Sequence, residues 1–397
     1  MDPQRYASTP FGEARRTIGP HGYVAYFAAP IPRVVELPTS TTRLLGDAEA
    51  SLGRLAGVGR FLPGPNLLVR PYLLREALSS TRIEGTRATM AEVFEVDASG
   101  ETPNPDVEEV VAYVDALDWG LEQVDSLPLG TRLMRGMHRR LMAGARGRGR
   151  TPGELRTTQN WIGAPNATIE TAEFLPPPPE QLPALLTDWE RFANEDAAEM
   201  PLLIQNALLH SQFETIHPFL DGNGRLGRLL LVFFLVSRGR LPAPLLYLSA
   251  YLERDRQRYY DALQSVQEAG DAMPWIEMFL IAVETQASDA VSRAERIIEL
   301  RERYRGMATT MGTANGVALV DLVCENPLVT TRLVEERLGV SRPMAVRLLR
   351  RLEERRVLGE GRSGIRGQRR YVARELMAAV TDEEEVSDER VARMLSW

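Results

Sequence analysis

Apolar residues recur three and four positions apart through most of the chain. From about residue 41, TTRLLGDAEASLGRLAGV carries that helical spacing, and PYLLREALSSTRIEGT repeats it after a Pro-bounded loop. Further helices are expected over 105–123, over 130–144 with Leu133, Met134, Met137 and Leu141 on one stripe, over 182–194, and over 201–214 with Pro201 in the first turn. The run after Gly224 is apolar on nearly all sides and stops at Gly239, the mark of a central buried helix. Helices over about 253–269 and 273–303 complete an all-α body.

Three stretches break the period. Residues 1–40 are rich in Pro and Gly and read as an extended arm on the surface. Residues 147–182 show no helical spacing, carry alternating Thr, Ile and Phe, and end in four prolines; structured loops of that length usually serve function. After 330 the order changes to helix, Gly339 turn, helix and hairpin. Thr330 or Thr331 is expected to cap the first of these helices and Ser341 the second, which runs to about 355.

Composition narrows the chemistry. The chain has 397 residues, 44% hydrophobic and 25% charged, enough for two or three domains with a sizeable core. One cysteine, Cys324, excludes a disulfide framework and fits a reducing cytoplasmic setting. The start, MDPQRYASTP, does not read as a signal peptide, and the longest apolar run, LLLVFFLV at 229–236, is too short for a bilayer, so no membrane association is expected. All 47 basic residues are arginine. A Walker lysine, a Schiff base and a Ser-Lys dyad are therefore impossible, and a phosphate must be held by arginine, backbone N–H groups or a metal. The four histidines, His21, His138, His210 and His217, include no zinc-protease pair. The net charge of −7 hides an asymmetry, because residues 331–370 hold twelve arginines against five glutamates.

The densest chemistry lies in HPFLDGNGRLGR, residues 217–228. Gly222-Asn223-Gly224 turns the chain into a helix whose first N–H groups and partial positive charge form an anion site. Arg225 and Arg228 stand three apart beside it and can add forked donors. Asp221 would repel a bare phosphate, which points to a magnesium ion bridging carboxylate and phosphate. His217 titrates near neutrality and is placed to accept a hydroxyl proton. Together these are the parts of phosphoryl-type transfer.

The stretch resembles the Fic family motif H-P-F-x-[D/E]-G-N-G-R-x-x-R at every position. PGELRTTQNWIG with FLPPPP is similar to the family's flap, YLSAYLERDRQRYYDAL and GDAMPWIEMFL to the segments after the motif, and REALSSTRIEGT to its inhibitory helix, about 300 residues in all. The resemblance implies an all-α Fic core with a small β-hairpin flap, an N-terminal helical inhibitory region and a C-terminal winged helix-turn-helix. The expected divisions are 1–115, 116–304, 305–378 and an acidic tail over 379–397.

It further implies an AMP-transferase that uses ATP with Mg2+ and acts on a hydroxyl of a target protein or of itself. His217 would be the base, Asp221 the magnesium ligand, and Gly222 to Gly224 the anion hole. Asn223 and Arg225 would contact phosphate, Arg228 the γ-phosphate, and Phe219 would anchor the loop. Gly224 departs from the phosphorylating branch of the family. SSTRIEG at 79–85 fits the inhibitory signature through Ser80, Glu84 and Gly85, with Glu84 paired to Arg228. Ser80 and Glu84 share a helical face, and Gly85 would end that helix.

Tyr259 and Tyr260 are placed at the adenine, although aromatics at helical spacing are more often core. Thr168 to Phe174 would dock the target segment by strand addition. His210 and Glu214 are read as structural. The C-terminal arginines Arg342, Arg347, Arg350, Arg351, Arg362, Arg366, Arg369 and Arg370 could face DNA phosphates, or the module could bind protein or form a homodimer. A nucleotide-sensing regulator and a de-AMPylating enzyme are the alternative readings.

Overall fold

The computed structural model describes residues 2–381 apart from 7, 18–21, 61–65, 100–101, 103, 125, 145–146, 148, 165, 196–199 and 362–368. The expected roles of Arg362 and Arg366, most of the acidic tail, and His21 therefore fall outside the described residues.

The chain opens with an antiparallel hairpin, β1 (Gly12–Arg16) and β2 (Val24–Ala28), in which Ala14 faces Tyr26. This corrects the expected extended surface arm, which is a paired hairpin over these residues. Ala25 and Tyr26, neighbours on opposite faces of β2, are both fully buried, and the strand's edge reaches a distant partner, the Leu175 carbonyl, which accepts from the Tyr26 N–H at 2.9 Å.

Helices follow: α1 (Thr39–Arg60), α2 (Asn66–Ile83), α3 (Met90–Ser99), α4 (Pro105–Gln123), α5 (Thr131–Leu141), α6 (Leu182–Asn194), α7 (Leu202–Ile216), α8 (Asn223–Ser237), α9 (Ser249–Arg254), α10 (Arg256–Ala269) and α11 (Met273–Thr309). Helix α4 starts where Asn104 accepts from the Val107 N–H at 3.0 Å and Pro105 supplies a preset φ at the first position. As expected, α8 is buried around its circumference, from Leu226 through Leu235. Each Leu or Phe there contributes roughly 1.5–3 kcal/mol by leaving water. Helix α7 beside it is equally enclosed, from Leu203 to Ile216, so two buried helices rather than one hold the site. Trp189 and Trp275 fasten α7 from both sides, donating to the Leu209 and Ala207 carbonyls at 2.8 and 2.7 Å.

The C-terminal region comprises α12 (Ala314–Glu325), β3 (Leu328–Thr330), α13 (Thr331–Leu338), α14 (Arg342–Glu354), β4 (Gly359–Gly361), β5 (Arg370–Val372) and α15 (Arg374–Val380). Its antiparallel strands lie in the order β3-β5-β4. Thr330 caps α13 by accepting from the Leu333 N–H at 3.2 Å, whereas Ser341 occupies the cap position of α14 without a side-chain bond. The expected divisions at 115/116 and 304/305 fall inside α4 and α11, which carry the chain through without a break.

The basic charge is largely spent within the molecule. Arg370 is buried against Glu95 of α3, Arg369 pairs with Glu353 and Glu360, and Arg351 donates to the Met311 carbonyl. Arg342, Arg347 and Arg350 remain exposed on α14. Among the described residues, no helix is long and apolar enough to cross a membrane.

Candidate active site

Helix α7 ends where His217 takes a left-handed backbone conformation, φ 48° and ψ 60°. A non-glycine residue is strained there, by about 1–3 kcal/mol, and is held only by its surroundings. Those surroundings are polar and buried. Arg156 donates to the His217 carbonyl at 2.9 Å, and Asn160 donates to the carbonyls of His217 at 3.2 Å and Phe219 at 2.9 Å. Asn223 both donates to the Phe219 carbonyl and accepts from the Phe219 N–H, each at 2.9 Å. The Phe219 ring is fully buried and stacks on His138 with centroids 3.9 Å apart. His138 accepts from the Gly153 N–H at 2.8 Å through Nδ1, so its Nε2 carries the proton donated to the Asp221 carbonyl at 2.9 Å. Burial lowers this histidine's pKa to about 4 and keeps it neutral.

The loop is thus fixed at four points before any ligand is considered. Arg156, Asn160 and His138 do this work, and sequence reasoning assigned none of them a role. Their only signal was polar residues inside a long aperiodic segment and a histidine on an otherwise apolar helix stripe.

Gly222, with φ 76°, turns the chain into α8, whose first N–H groups have no acceptor within the helix. Gly222, Asn223 and Gly224 line an open cavity of about 680 Å³, together with His217, Asp221 and Arg228. The Asn223 side chain is committed to Phe219, so only its backbone remains for an anion. Arg225 does not reach the cavity. It is 5% exposed and lies behind the loop, 3.7 Å from Glu109 and 3.7 Å from Asp221. This corrects the expectation that its side chain meets phosphate; Glu109 of α4 draws it inward.

Glu84 and Arg228 meet as the motif implied. Helix α2 ends at Ile83, Gly85 adopts φ 95°, and the Glu84 carboxylate projects into the cavity, accepting from Arg228 Nη2 at 2.8 Å. Ser80, one turn earlier and fully buried, accepts from Arg228 Nε at 2.9 Å through its hydroxyl, and its carbonyl accepts from Nη2 at 2.9 Å. Burial would raise the Glu84 pKa, but the Arg228 charge and hydrogen bond prevail and lower it. Burial would likewise discharge Arg228, and Glu84 holds it charged.

The carboxylate also lies over Gly224 at the start of α8. A Cβ on Gly224 would stand 2.7 Å from Glu84 Oε1 and 3.0 Å from Arg228 Nη1, so only glycine leaves space at that point. The next residues tie the end of α2 to the loop from behind: Thr86 donates to Glu109 at 2.6 Å, and Glu109 faces Arg225. Glu76, one turn before Ser80 on the same helix, is buried and bonded to Tyr113 and Ser249; burial raises its pKa.

Burial lowers His217 to about 4. Its Nδ1 is 3.3 Å from the Glu214 carbonyl, an acceptor, so the proton of the neutral ring sits on Nδ1 and Nε2 keeps a free lone pair. Tyr259 is buried, with its hydroxyl 2.8 Å from His210 Nε2, and Tyr260 is 41% exposed with its ring 5.2 Å from that of Tyr259. Both line the cavity.

The expected flap is a loop closed by one bridge between Ile162 and Phe174, not a hairpin of two strands. Trp161 and Ile162 are exposed on it at the cavity's edge. The N-terminal region braces it, with Tyr6, ahead of the hairpin, donating to the Glu173 carbonyl at 3.0 Å and the N–H of Tyr26 in β2 to the Leu175 carbonyl.

No cluster of three or more metal-ligating side chains forms among the described residues. Asp221 nevertheless fits a magnesium ion that keeps most of its waters. Its Oδ1 accepts from the Gly222 N–H at 2.6 Å, and the half-exposed carboxylate keeps Oδ2 at the rim, 3.7 Å from Arg150. Magnesium is commonly held by one or two carboxylates together with substrate phosphates.

A neutral imidazole stands beside the open start of a buried helix, and a buried arginine of that helix is paired with a carboxylate from the end of a second helix. Residues 42–122 match the Fic/DOC family N-terminal model and residues 128–235 the Fic/DOC family model. These matches place the segment 42–235 in the Fic/DOC family. A probable protein adenylyltransferase of Aquifex aeolicus is 38% identical over 100 residues, covering 24% of this chain and 28% of that protein. The protein adenylyltransferase Fic of Culex quinquefasciatus is 34% identical over 125 residues, or 31% and 22%. The chain thus spans about a quarter of the length of these relatives. The crystal structure of a Fic family protein from Desulfovibrio desulfuricans shares the fold, with a TM-score of 0.57 at 21% identity over 87% of this chain and 98% of that one.

Proposed function

We propose that the protein is an autoinhibited adenylyltransferase that moves AMP from ATP to a hydroxyl side chain of a target protein or of itself, releasing pyrophosphate. The observation that carries this reading is the Glu84–Arg228 pair seated on Gly224, within the same cavity as His217. The backbone N–H groups at Gly222–Gly224 would hold the bridging phosphates. Arg228 would hold the γ-phosphate once Glu84 withdraws. His217 Nε2 would take the proton of the incoming hydroxyl, while the locked loop keeps the ring aimed. Asp221 would hold magnesium, which neutralises triphosphate charge. Tyr259 and Tyr260 form the wall proposed for the base, and the exposed Trp161 and Ile162 offer an apolar edge to the target segment.

For the C-terminal region we propose a winged helix, on its element order and its strand order β3-β5-β4. Among the described residues, Arg342, Arg347 and Arg350 of α14 are exposed members of the basic face expected from the sequence.

The test separates the phosphates of ATP. Incubated with a host lysate, the protein is expected to transfer label from the α-position and none from the γ-position. Label from the γ-position would mean phosphorylation instead, and label from neither would favour a nucleotide-sensing role.

A further inference from the structure

Glu214 occupies a place that neither helix packing nor the roles assigned so far explain. It lies in the last turn of α7, one turn after His210 and three residues before His217. Its side chain is 12% exposed and lines the cavity; Oε1 is buried without a hydrogen-bond partner. The carboxyl lies 4.0 Å from His217 Nδ1 through Oε2, and 4.0 Å from His210 Nε2 through Oε1. Both distances are too long for hydrogen bonds, so the group does not fasten either ring. A buried carboxyl without a bonded partner is costly, and an apolar residue would pack there more cheaply. Gly227 of α8 opens the space for it: a Cβ at that position would come within 2.4 Å of Oε1.

The reading rests on the AMP-transfer function proposed above. We propose that Glu214 is a positioning residue for the base, a carboxylate kept behind the His217 ring to favour the imidazolium that forms when Nε2 accepts the hydroxyl proton. In that step the target O–H bond breaks and the Nε2–H bond forms. The hydroxyl oxygen bonds to the α-phosphorus, and the bond from that phosphorus to the bridging oxygen breaks. Pyrophosphate leaves with the electron pair. Glu214 exchanges no proton and acts only through its charge, at a distance where opposite charges in a partly buried site interact strongly.

The charged and titratable neighbours decide when it is ionised. His210 and His217 face it from α7, Arg228 from α8, Glu84 from the end of α2, and Tyr259 and Tyr260 from α10. Burial raises its pKa to about 7, with Arg228 opposing and Glu84 adding to the rise. Glu214 is therefore ionised mainly above neutrality in the restrained arrangement. Withdrawal of the Glu84 carboxylate removes one cause of the rise and favours ionisation of Glu214 at neutral pH and below. It also takes from His217 one of the negative charges that raise its pKa, so the charge of Glu214 replaces that of Glu84 beside the ring.

The test uses the full chain carrying Glu84→Gly, with Glu214→Gln and Glu214→Asp added separately. Two readouts are followed as pH is varied: transfer of α-label, resolved into kcat and KM for ATP, and the ring signals of His217 by NMR, which only four histidines keep tractable. Glu214→Gln is expected to lower kcat about tenfold above neutral pH, to leave KM for ATP unchanged, and to abolish the shift of the His217 ring signals that accompanies ionisation of Glu214 beside it. Glu214→Asp, which keeps the charge, is expected to retain the parent's pH profile. Unchanged kcat and an unchanged pH response of the His217 signals in Glu214→Gln would overturn the proposal. So would a loss shared equally by Asp and Gln with a raised KM, which marks packing alone. If Glu84→Gly itself transfers no label, the AMP-transfer reading fails while the pH response of the His217 signals still decides the role of Glu214.

Discussion

Replacing Glu84 with glycine is expected to raise the rate of AMP transfer by about 10- to 100-fold, the cost commonly attached to an α-phosphate held about 1 Å out of line. The carboxylate does two things that the substitution undoes. It takes Arg228 Nη2 at 2.8 Å, the donor a γ-phosphate would need, and it stands over Gly224, where the anion hole must admit phosphate oxygens. Losing it leaves Arg228 bonded to Ser80 in a buried setting without its paired carboxylate. Because Glu84 is about a third exposed toward the cavity, the stability cost should be modest, about 1–2 kcal/mol, below that of breaking a fully buried pair. ATP should recover this cost by supplying a new anion, so thermal protection by ATP should be larger in the variant than in the parent. Incorporation of α-label under saturating ATP checks the rate, and an unchanged rate would remove Glu84 from control of the site.

Replacing His217 with alanine in the Glu84→Gly background is expected to lower transfer by about 10²- to 10⁴-fold, the range a positioned general base supplies. The ring is neutral because burial holds its pKa at about 4, and the Glu214 carbonyl beside Nδ1 leaves Nε2 as the free lone pair. The left-handed backbone at this position complicates alanine, which would be strained there. Asparagine tolerates that conformation better, so His217→Asn is the control. Both variants should lose transfer alike while still being protected by ATP in a thermal melt. Loss of ATP protection would instead point to a collapsed loop, and substantial transfer by either would remove His217 as the base.

Much of this was legible in the chain because local rules and tertiary packing agree there. The helices expected over 105–123 and 182–194 match α4 and α6 in their bounds. The Asn104 cap and the prolines at both starts are short-range signals that nothing overrides. The stretch from 217 to 224 was legible for the same reason: a Gly-Asn-Gly turn before an apolar run has few other solutions.

Elements that depend on remote partners were not. The N-terminal hairpin gains its reason for being from the Leu175 and Glu173 carbonyls, some 150 residues away, and its Pro and Gly content suggested only an arm. Arg225 and Arg228 stand at equivalent spacing on the page. Glu109 pulls the first behind the loop and Glu84 draws the second into the cavity. Arg370 read as a phosphate contact and is instead buried against Glu95. In each case an acidic residue from another helix decided the orientation, which spacing along one helix does not encode.

The central claim is that Arg228 serves two anions in turn, Glu84 at rest and the nucleotide when active. Transfer of α-label by the parent, by Glu84→Gly, and by Glu84→Gly combined with Arg228→Ala measures it most directly. Slow transfer, fast transfer and slow transfer again are expected, with the last loss appearing largely as a weaker response to ATP. A combined variant as fast as Glu84→Gly alone would contradict it, because the arginine would then be only a latch for Glu84 and not a holder of the substrate.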